Sequence, residues 1–245
     1  MRAKPIAARR IHSRAVGSGD AIPIIGGTGA LGYALALRWA RAGHAVVIGS
    51  RSEERAAEAA RKLSEQLPDA EIEGLPNELA AKQGSTVFLT VPFRAQSENL
   101  NNLREALDPG QLLVDCTVPL AAAVGGKATR SLGVWQGSAA QQAQDMVPEG
   151  VSVVSALHTV SAPRLADPGE DLDEDVLLCG DSKADKAKVA RIVEAIPGLR
   201  AVNAGPLEMA RIVEQLTPML ISINARYKAH AGIKIAGLPE AEHWE

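Results

Sequence analysis

A doubly wound α/β fold with a mostly parallel sheet is what this sequence predicts, on three observations. The apolar pair Ile24-Ile25 runs straight into Gly27, Gly29 and Gly32, a Gly-x-Gly-x-x-Gly spacing followed at once by an alanine-rich, helix-like segment from Tyr33 to Ala42. Beyond it, short apolar runs alternate with helix-like segments along most of the chain, the rhythm of strand–helix–strand units. The apolar runs are unbroken in Val, Ile and Leu, as strands covered by helices on both faces must be.

Each element has its own signal. Ile24-Ile25 through Gly32 reads as strand, tight turn and helix start. In such a unit Gly27 takes the turn, Gly29 lets backbone N–H groups approach a pyrophosphate, and Gly32 lets the helix pack on the strand. Ala45 to Gly49 is the second strand, and Ser52 to Leu67, with acids early and a stop before Pro68, is a helix. Glu71 to Leu75 reads as a third strand, Asn77 to Lys82 as a short helix and Thr86 to Val91 as a strand. Gln96 to Leu107 is a helix closed by Asp108-Pro109-Gly110, and Leu112 to Thr117 a further strand. Val118 to Gly137 has four glycines and no period; a loop this long is more often functional than accidental, with flexible surface chain the alternative. Ser138 to Met146 (helix), Val151 to Leu157 and Val176 to Cys179 (strands), Lys183 to Ile196 (helix) and Leu199 to Val202 (strand) restore the rhythm. Leu207 to Tyr227 is a last long helix, kinked at Pro218. The expected organisation is an extension over residues 1–20, expected to be disordered, a Rossmann-type dinucleotide-binding domain over 21–205, and a C-terminal helical segment over 206–245.

Composition narrows the function classes. With 245 residues the chain can bury a sizeable core. No apolar run approaches the length of a membrane span, and a net charge of −3 without a large basic field argues against nucleic acid. Cys116 and Cys179 both lie in apolar strand-like runs, which fits reduced, buried thiols in a cytoplasmic protein. Met1 to Gly19 carries Arg2, Lys4, Arg9, Arg10 and Arg14 but no acid and no apolar core of a secretory signal.

The end of the second strand points to the nucleotide. NAD sites place Asp or Glu there, about 20 residues past the glycine turn, to hold the ribose hydroxyls. Here the chain reads Gly49-Ser50-Arg51, with Arg55 one helical turn on. Ser50 offers a hydroxyl, and Arg51 and Arg55 can converge on a 2′-phosphate, which favours NADP over NAD. Glu53 and Glu54 leave open an ordinary solvated helix start.

Acid–base machinery is sparse. Neither Tyr33 nor Tyr227 has a lysine four residues later, and no metal-ligand cluster or nucleophile–base pair is visible. His158 stands apart because it closes a strand at the edge where open α/β sheets bind ligands. It is the one catalytic candidate, equally readable as a histidine that fixes a loop.

Taken together, these stretches resemble the NADPH-dependent coenzyme F420 reductases, or F420:NADP oxidoreductases, from about Ile22 to Lys234. The resemblance rests on Gly26-Gly27-Thr28-Gly29-x-Leu31-Gly32, Gly49-Ser50-Arg51 with Arg55, Thr90-Val91-Pro92-Phe93, Ser155-Ala156-Leu157-His158-Thr159-Val160, Cys179-Gly180-Asp181, Ala204-Gly205-Pro206-Leu207, Glu214-x-Leu216-Thr217-Pro218 and Gly232-Ile233-Lys234. It implies hydride exchange between the nicotinamide of NADP and the deazaflavin ring of coenzyme F420, the two rings stacked in one cleft. It also implies that Thr28, Gly29, Ala30 and Leu31 contact the pyrophosphate, and Ser50, Arg51 and Arg55 the 2′-phosphate. Phe93, Ser97, Val118 and Ala162 match positions lining the nucleotide and ring site, and His158 and Val160 match positions beside the rings. Both cofactors carry their own redox chemistry, which accounts for the missing acid and base. The family's members are usually dimeric or larger, with the last helix as the expected interface. The chain departs from the family in its extra N-terminal segment, in Pro23 within a central strand, and in Ser97 where an apolar residue is usual. Two other readings stand beside this one: a soluble NADPH-dependent reductase of a small imine or carbonyl with His158 as proton donor, and a non-catalytic NADPH-binding sensor.

Overall fold

A computed structural model describes residues 20–238, so the N-terminal extension and the last seven residues lie outside the described chain. Eight strands form one sheet: β1 (Ile22–Ile25), β2 (Val46–Ser50), β3 (Ile72–Pro76), β4 (Thr86–Leu89), β5 (Leu112–Asp115), β6 (Ser152–Ser155), β7 (Glu174–Cys179) and β8 (Leu199–Gly205). Their spatial order is β3-β2-β1-β4-β5-β6-β7-β8. Strands β1 to β6 are mutually parallel; β7 runs antiparallel to β6, with Ser155 opposite Cys179, and β8 is parallel to β7. The sheet is therefore mostly parallel, as the unbroken apolar runs predict. Because β7 is reversed, its amino end projects from the same sheet edge as the carboxyl ends of β1 to β6.

Helices cover both faces. On one lie α1 (Ala30–Arg41), α2 (Glu53–Gln66), α6 (Ala162–Ala166) and α7 (Lys183–Glu194); on the other α3 (Asn77–Ala80), α4 (Gln96–Leu103), α5 (Ala139–Met146) and α8 (Ala210–Tyr227). Side chains alternate along the strands between the two cores. Ile24, Ile48 and Val114 face Leu35, Trp39 and Leu63, whereas Ile25, Val47 and Leu113 face the core of Leu100, Leu103 and Ala143. Trp39 packs on Phe88 with centroids 4.5 Å apart and donates its indole N–H to the Ile192 carbonyl at 2.7 Å.

Several boundaries differ from the sequence expectation. α1 begins at Ala30, and α4 stops at Leu103 where 107 was expected. β6 ends at Ser155 because Leu157 takes the left-handed conformation, φ 65°, which no strand accommodates. β7 starts two residues early and β8 ends three late, since each is the other's parallel partner. The short α6 was not anticipated from sequence; five residues leave no periodicity to detect. The segment 118–137 is indeed irregular but is pinned, by a 3₁₀ turn at Ala121–Val124 and a bridge between Leu120 and Ser131. Pro23 sits inside β1 opposite Val47, and its ring lies against Gly84, where an added Cβ would stand 2.8 Å from the Pro23 Cδ. The missing donor thus falls at a point where the chain is only entering β4. α8 continues through Pro218 and follows a single 3₁₀ turn at Leu207–Met209. After it, the chain returns over β7, where the Asp175 N–H donates to the Ile233 carbonyl at 2.7 Å. Cys116 and Cys179 are free and buried, and burial pushes the Cys179 thiol up to about 12.

Candidate functional site

The carboxyl ends of β1, β2, β4, β5 and β6 bring every expected site residue to one sheet edge. At the centre is the glycine turn. Its left-handed position is Gly26, φ 75°, and not Gly27 as the spacing suggested. Gly27 instead permits close approach of two strands. Its N–H donates to the carbonyls of Ile24 at 3.1 Å and Gly49 at 2.9 Å, and a Cβ there would stand 2.8 Å from the Ile24 oxygen. At Gly32 a Cβ would meet the Thr90 Oγ1 at 2.5 Å and the Gly27 Cα at 2.7 Å, so the third glycine does let α1 pack on the strands. Gly29 is the N-cap of α1, exposed, with no side-chain cap and no acid in the first turn. Thr28, Ala30 and Leu31 surround it at partly or fully exposed positions. A helix start left this way presents N–H groups and a positive dipole end to an anion. The start of α5 differs. There Glu214, from α8, accepts the N–H groups of Ala139 and Ala140 at 3.0 and 3.1 Å.

At the end of β2, Ser50 is buried and accepts the Ser52 N–H at 3.3 Å. Ser52 in turn caps α2 by accepting the Arg55 N–H at 3.2 Å. Arg51 and Arg55 are exposed, within one helical turn of each other. Arg51 lies 3.5 Å from the Glu98 carboxylate of α4, a partner the sequence did not disclose; Arg55 makes no ion pair among the described residues. Among the described residues no acid hydrogen-bonds to Ser50.

Past β4, Phe93 is half-buried in a 3₁₀ turn, and Ser97 is exposed in the first turn of α4, its hydroxyl accepting from Gln142 at 3.1 Å. Val118 is half-buried after β5, and Ala162 opens α6.

Behind these lies a buried polar cluster that sequence reading missed altogether. Gln96, fully buried, directs its amide nitrogen at Asp115 Oδ2 (2.8 Å), Thr117 Oγ1 (2.8 Å) and the Ala139 carbonyl (2.9 Å), while its oxygen accepts from Gln142 at 2.7 Å. Burial raises the Asp115 carboxyl to about 7 and that of Glu214 to about 8, against hydrogen bonds that favour the charged forms. A second chain runs from the Gly26 N–H to Asn77 (3.4 Å), from Asn77 to Asn99 (3.0 Å) and from Asn99 to the Ala95 carbonyl (2.7 Å), tying the glycine turn to the entry of α4. The sole sequence signal was polar residues on helices otherwise facing the core.

His158 follows the left-handed Leu157. It is buried, both ring nitrogens lack a hydrogen-bond partner among the described residues, and burial lowers its pKa to about 4. Its carbonyl accepts the Thr217 hydroxyl of α8 at 2.9 Å. Val160 is buried two residues on. Burial thus favours the neutral imidazole, a poor general acid, which weighs against imine or carbonyl reduction through His158.

Comparison with known proteins accords with this geometry. The family described as "NADP oxidoreductase coenzyme F420-dependent" matches residues 21–119. The chain is 42% identical over 225 residues to the F420-dependent NADP reductase of Methanothermobacter thermautotrophicus, covering 90% of this chain and 97% of that one. This chain belongs to the F420-dependent NADP reductase family. It is also 41% identical over 222 residues to the F420-dependent NADP reductase of Methanocaldococcus jannaschii, covering 89% and 98% of the two chains. A crystal structure from Arthrobacter sp. carrying an F420-dependent NADP-reductase assignment superposes with a TM-score of 0.71 at 27% identity, covering 89% of this chain and all of that one. Among the described residues no helix is long and apolar enough to cross a membrane, and no three His, Cys, Asp or Glu side chains come together as a metal-binding group.

Proposed function

We propose that this protein transfers hydride between NADP(H) and coenzyme F420, with the nucleotide on the edge formed by β1, β2 and β4 and the rings near His158 and Val160. The observation that carries this reading is the uncapped glycine turn at Gly26–Gly32 beside Ser50, Arg51 and Arg55, in a chain of this family. A side chain at Gly27 would collide with β1 and β2 and one at Gly32 with the turn itself, and the open start of α1 suits a pyrophosphate. Thr28, Gly29, Ala30 and Leu31 would hold that group; Ser50, Arg51 and Arg55 would hold the 2′-phosphate. Phe93, Ser97, Val118 and Ala162 would line the nucleotide and ring site. Each cofactor supplies its own redox centre, so the chain's task is to position the reacting carbons and exclude water. His158 fits that division of labour: a neutral, buried imidazole with unspent nitrogens can donate one hydrogen bond to a ring substituent without moving a proton.

The test is anaerobic mixing of the protein with NADPH and oxidised F420, following loss of deazaflavin absorbance, with NADH and Arg51→Ala in parallel. Rapid bleaching with NADPH, slow bleaching with NADH and a KM for NADPH raised roughly tenfold or more in the variant are expected, because a charge-assisted phosphate contact is worth about 1.5–3 kcal/mol. NADPH binding without bleaching sinks the assignment.

The same reading includes self-association through α8. Ile212, Met219, Ile223 and Tyr227 are exposed at a helical spacing of seven, four and four, an apolar stripe left uncovered among the described residues. Light scattering is expected to give at least twice the 25.7 kDa chain mass; a monomer mass at micromolar concentration removes this part. On this reading the domain spans 21–205 and the C-terminal segment 206–245 serves association.

A further inference from the structure

We propose that Glu98 is a specificity-determining residue that tempers the preference for a 2′-phosphorylated nucleotide. This rests on the reading of Arg51 as a phosphate contact. Arg51 leaves the carboxyl end of β2 and Glu98 stands in the first turn of α4, which follows β4. In the sheet β1 lies between β2 and β4, so the Arg51–Glu98 pair joins the two elements that flank the glycine turn. A nucleotide entering there meets it. The side chains are 67% and 60% exposed, and an ion pair in that setting is weak and easily exchanged.

Two physical effects follow, and both oppose a 2′-phosphate more than a 2′-hydroxyl. The carboxylate occupies the guanidinium that the phosphate would use. It also places a negative charge within a few ångströms of a group carrying nearly two. Among the described residues no other acid forms an ion pair with Arg51. Glu54 is engaged by the Ser52 hydroxyl at 2.7 Å, and Glu53 forms no ion pair among the described residues. NAD lacks the phosphate and so does not compete with Glu98 for the Arg51 guanidinium. The residue thus leaves NADP preferred but releasable, which suits an enzyme whose product is also a nucleotide.

Calorimetric titration with NADP⁺ or NAD⁺ alone, without F420, tests this on the wild type, Glu98→Gln and Arg51→Ala, with thermal unfolding to check that each folds. Glu98→Gln is expected to tighten NADP⁺ by about two- to fivefold and leave NAD⁺ unchanged, with the gain shrinking as salt is raised. Arg51→Ala is expected to weaken NADP⁺ at least roughly tenfold. If Arg51→Ala behaves so while Glu98→Gln tightens neither nucleotide, tightens both equally, or weakens NADP⁺, Glu98 is not a specificity determinant and the reading of Arg51 stands. If Arg51→Ala affects NADP⁺ and NAD⁺ alike, the phosphate reading falls and the inference with it.

Discussion

The two ends of the proposed cleft are built on opposite physical terms. At the β2 end, Arg51, Arg55 and Glu98 stand in water, hold their positions loosely and act through charge. At the β5–β6 end, Gln96, Asp115, Thr117, Glu214 and His158 are all buried; hydrogen bonds fix the first four, and the His158 ring nitrogens have no partner among the described residues. Charge in water can discriminate a phosphate from a hydroxyl at little cost to folding. Placing two rings for hydride transfer needs geometry, and geometry comes from groups that cannot reorient. On the proposed function the cleft separates recognition from orientation, and mutations at its two ends should fail in different ways.

The largest expected effect breaks the buried end. Gln96→Leu removes a donor shared by Asp115, Thr117 and the Ala139 carbonyl, and an acceptor used by Gln142. Each stranded buried group costs about 1–3 kcal/mol, so a loss of about 3 kcal/mol or more is expected in urea unfolding. Arg51→Ala, measured alongside, is expected to stay within about 0.5 kcal/mol of wild type while losing NADPH affinity. Equal stability of the two variants would erase the distinction between the ends.

A smaller effect separates burial from charge within that same cluster. Glu214 titrates near 8 in the folded protein against 4.5 as a model carboxyl, because burial disfavours its charge more than the two helix N–H groups favour it. Between those values the folded protein keeps a proton that the unfolded chain releases. The contribution is complete below 4.5 and is lost as pH rises through about 8. Glu214→Gln cannot titrate, and its amide nitrogen cannot accept the helix N–H that a carboxyl oxygen accepts. The variant is expected to be less stable at pH 5 and to close that gap toward pH 8.5, by at most about 1.4 kcal/mol per pH unit. A gap that stays constant or widens with pH contradicts the assignment.

The legibility of the sequence follows the same division. Glycine spacing, apolar continuity and the Ser50-Arg51-Arg55 run are local signals, set by turn sterics and by positions within a few residues of one another. They marked the strands and the residues proposed for the phosphate end of the cleft, but gave the turn to Gly27 where the structure has Gly26 in the left-handed conformation. The Gln96 cluster joins residues 19, 21, 43 and 46 positions from Gln96, and Thr217 reaches His158 across 59. Nothing in a local window marks such a glutamine as buried. The reversal of β7 was equally hidden, since strand direction depends on how α6 and the chain after it turn back and leaves no imprint on the apolar run itself.

The smallest effect concerns the one place where strain and site coincide. Leu157, at φ 65°, holds a conformation that costs a branched side chain roughly 1 kcal/mol, and the next carbonyl is clasped by Thr217 at 2.9 Å. The clasp sits one helical turn beyond Glu214, so a single face of α8 fixes both the start of α5 and the His158 turn. Thr217→Val keeps the shape but removes the donor, so about 1 kcal/mol of stability should go and the imidazole should lose its fixed approach to the rings. Because the nucleotide end is untouched, kcat is expected to fall by roughly three- to tenfold with the KM for NADPH unchanged, a loss confined to the reacting geometry. Thr217→Ser restores the hydroxyl and should restore kcat. If valine and serine behave alike, or if KM moves while kcat holds, Thr217 supports the fold without positioning His158, and the orientation end of the cleft must be sought in the Gln96 cluster alone.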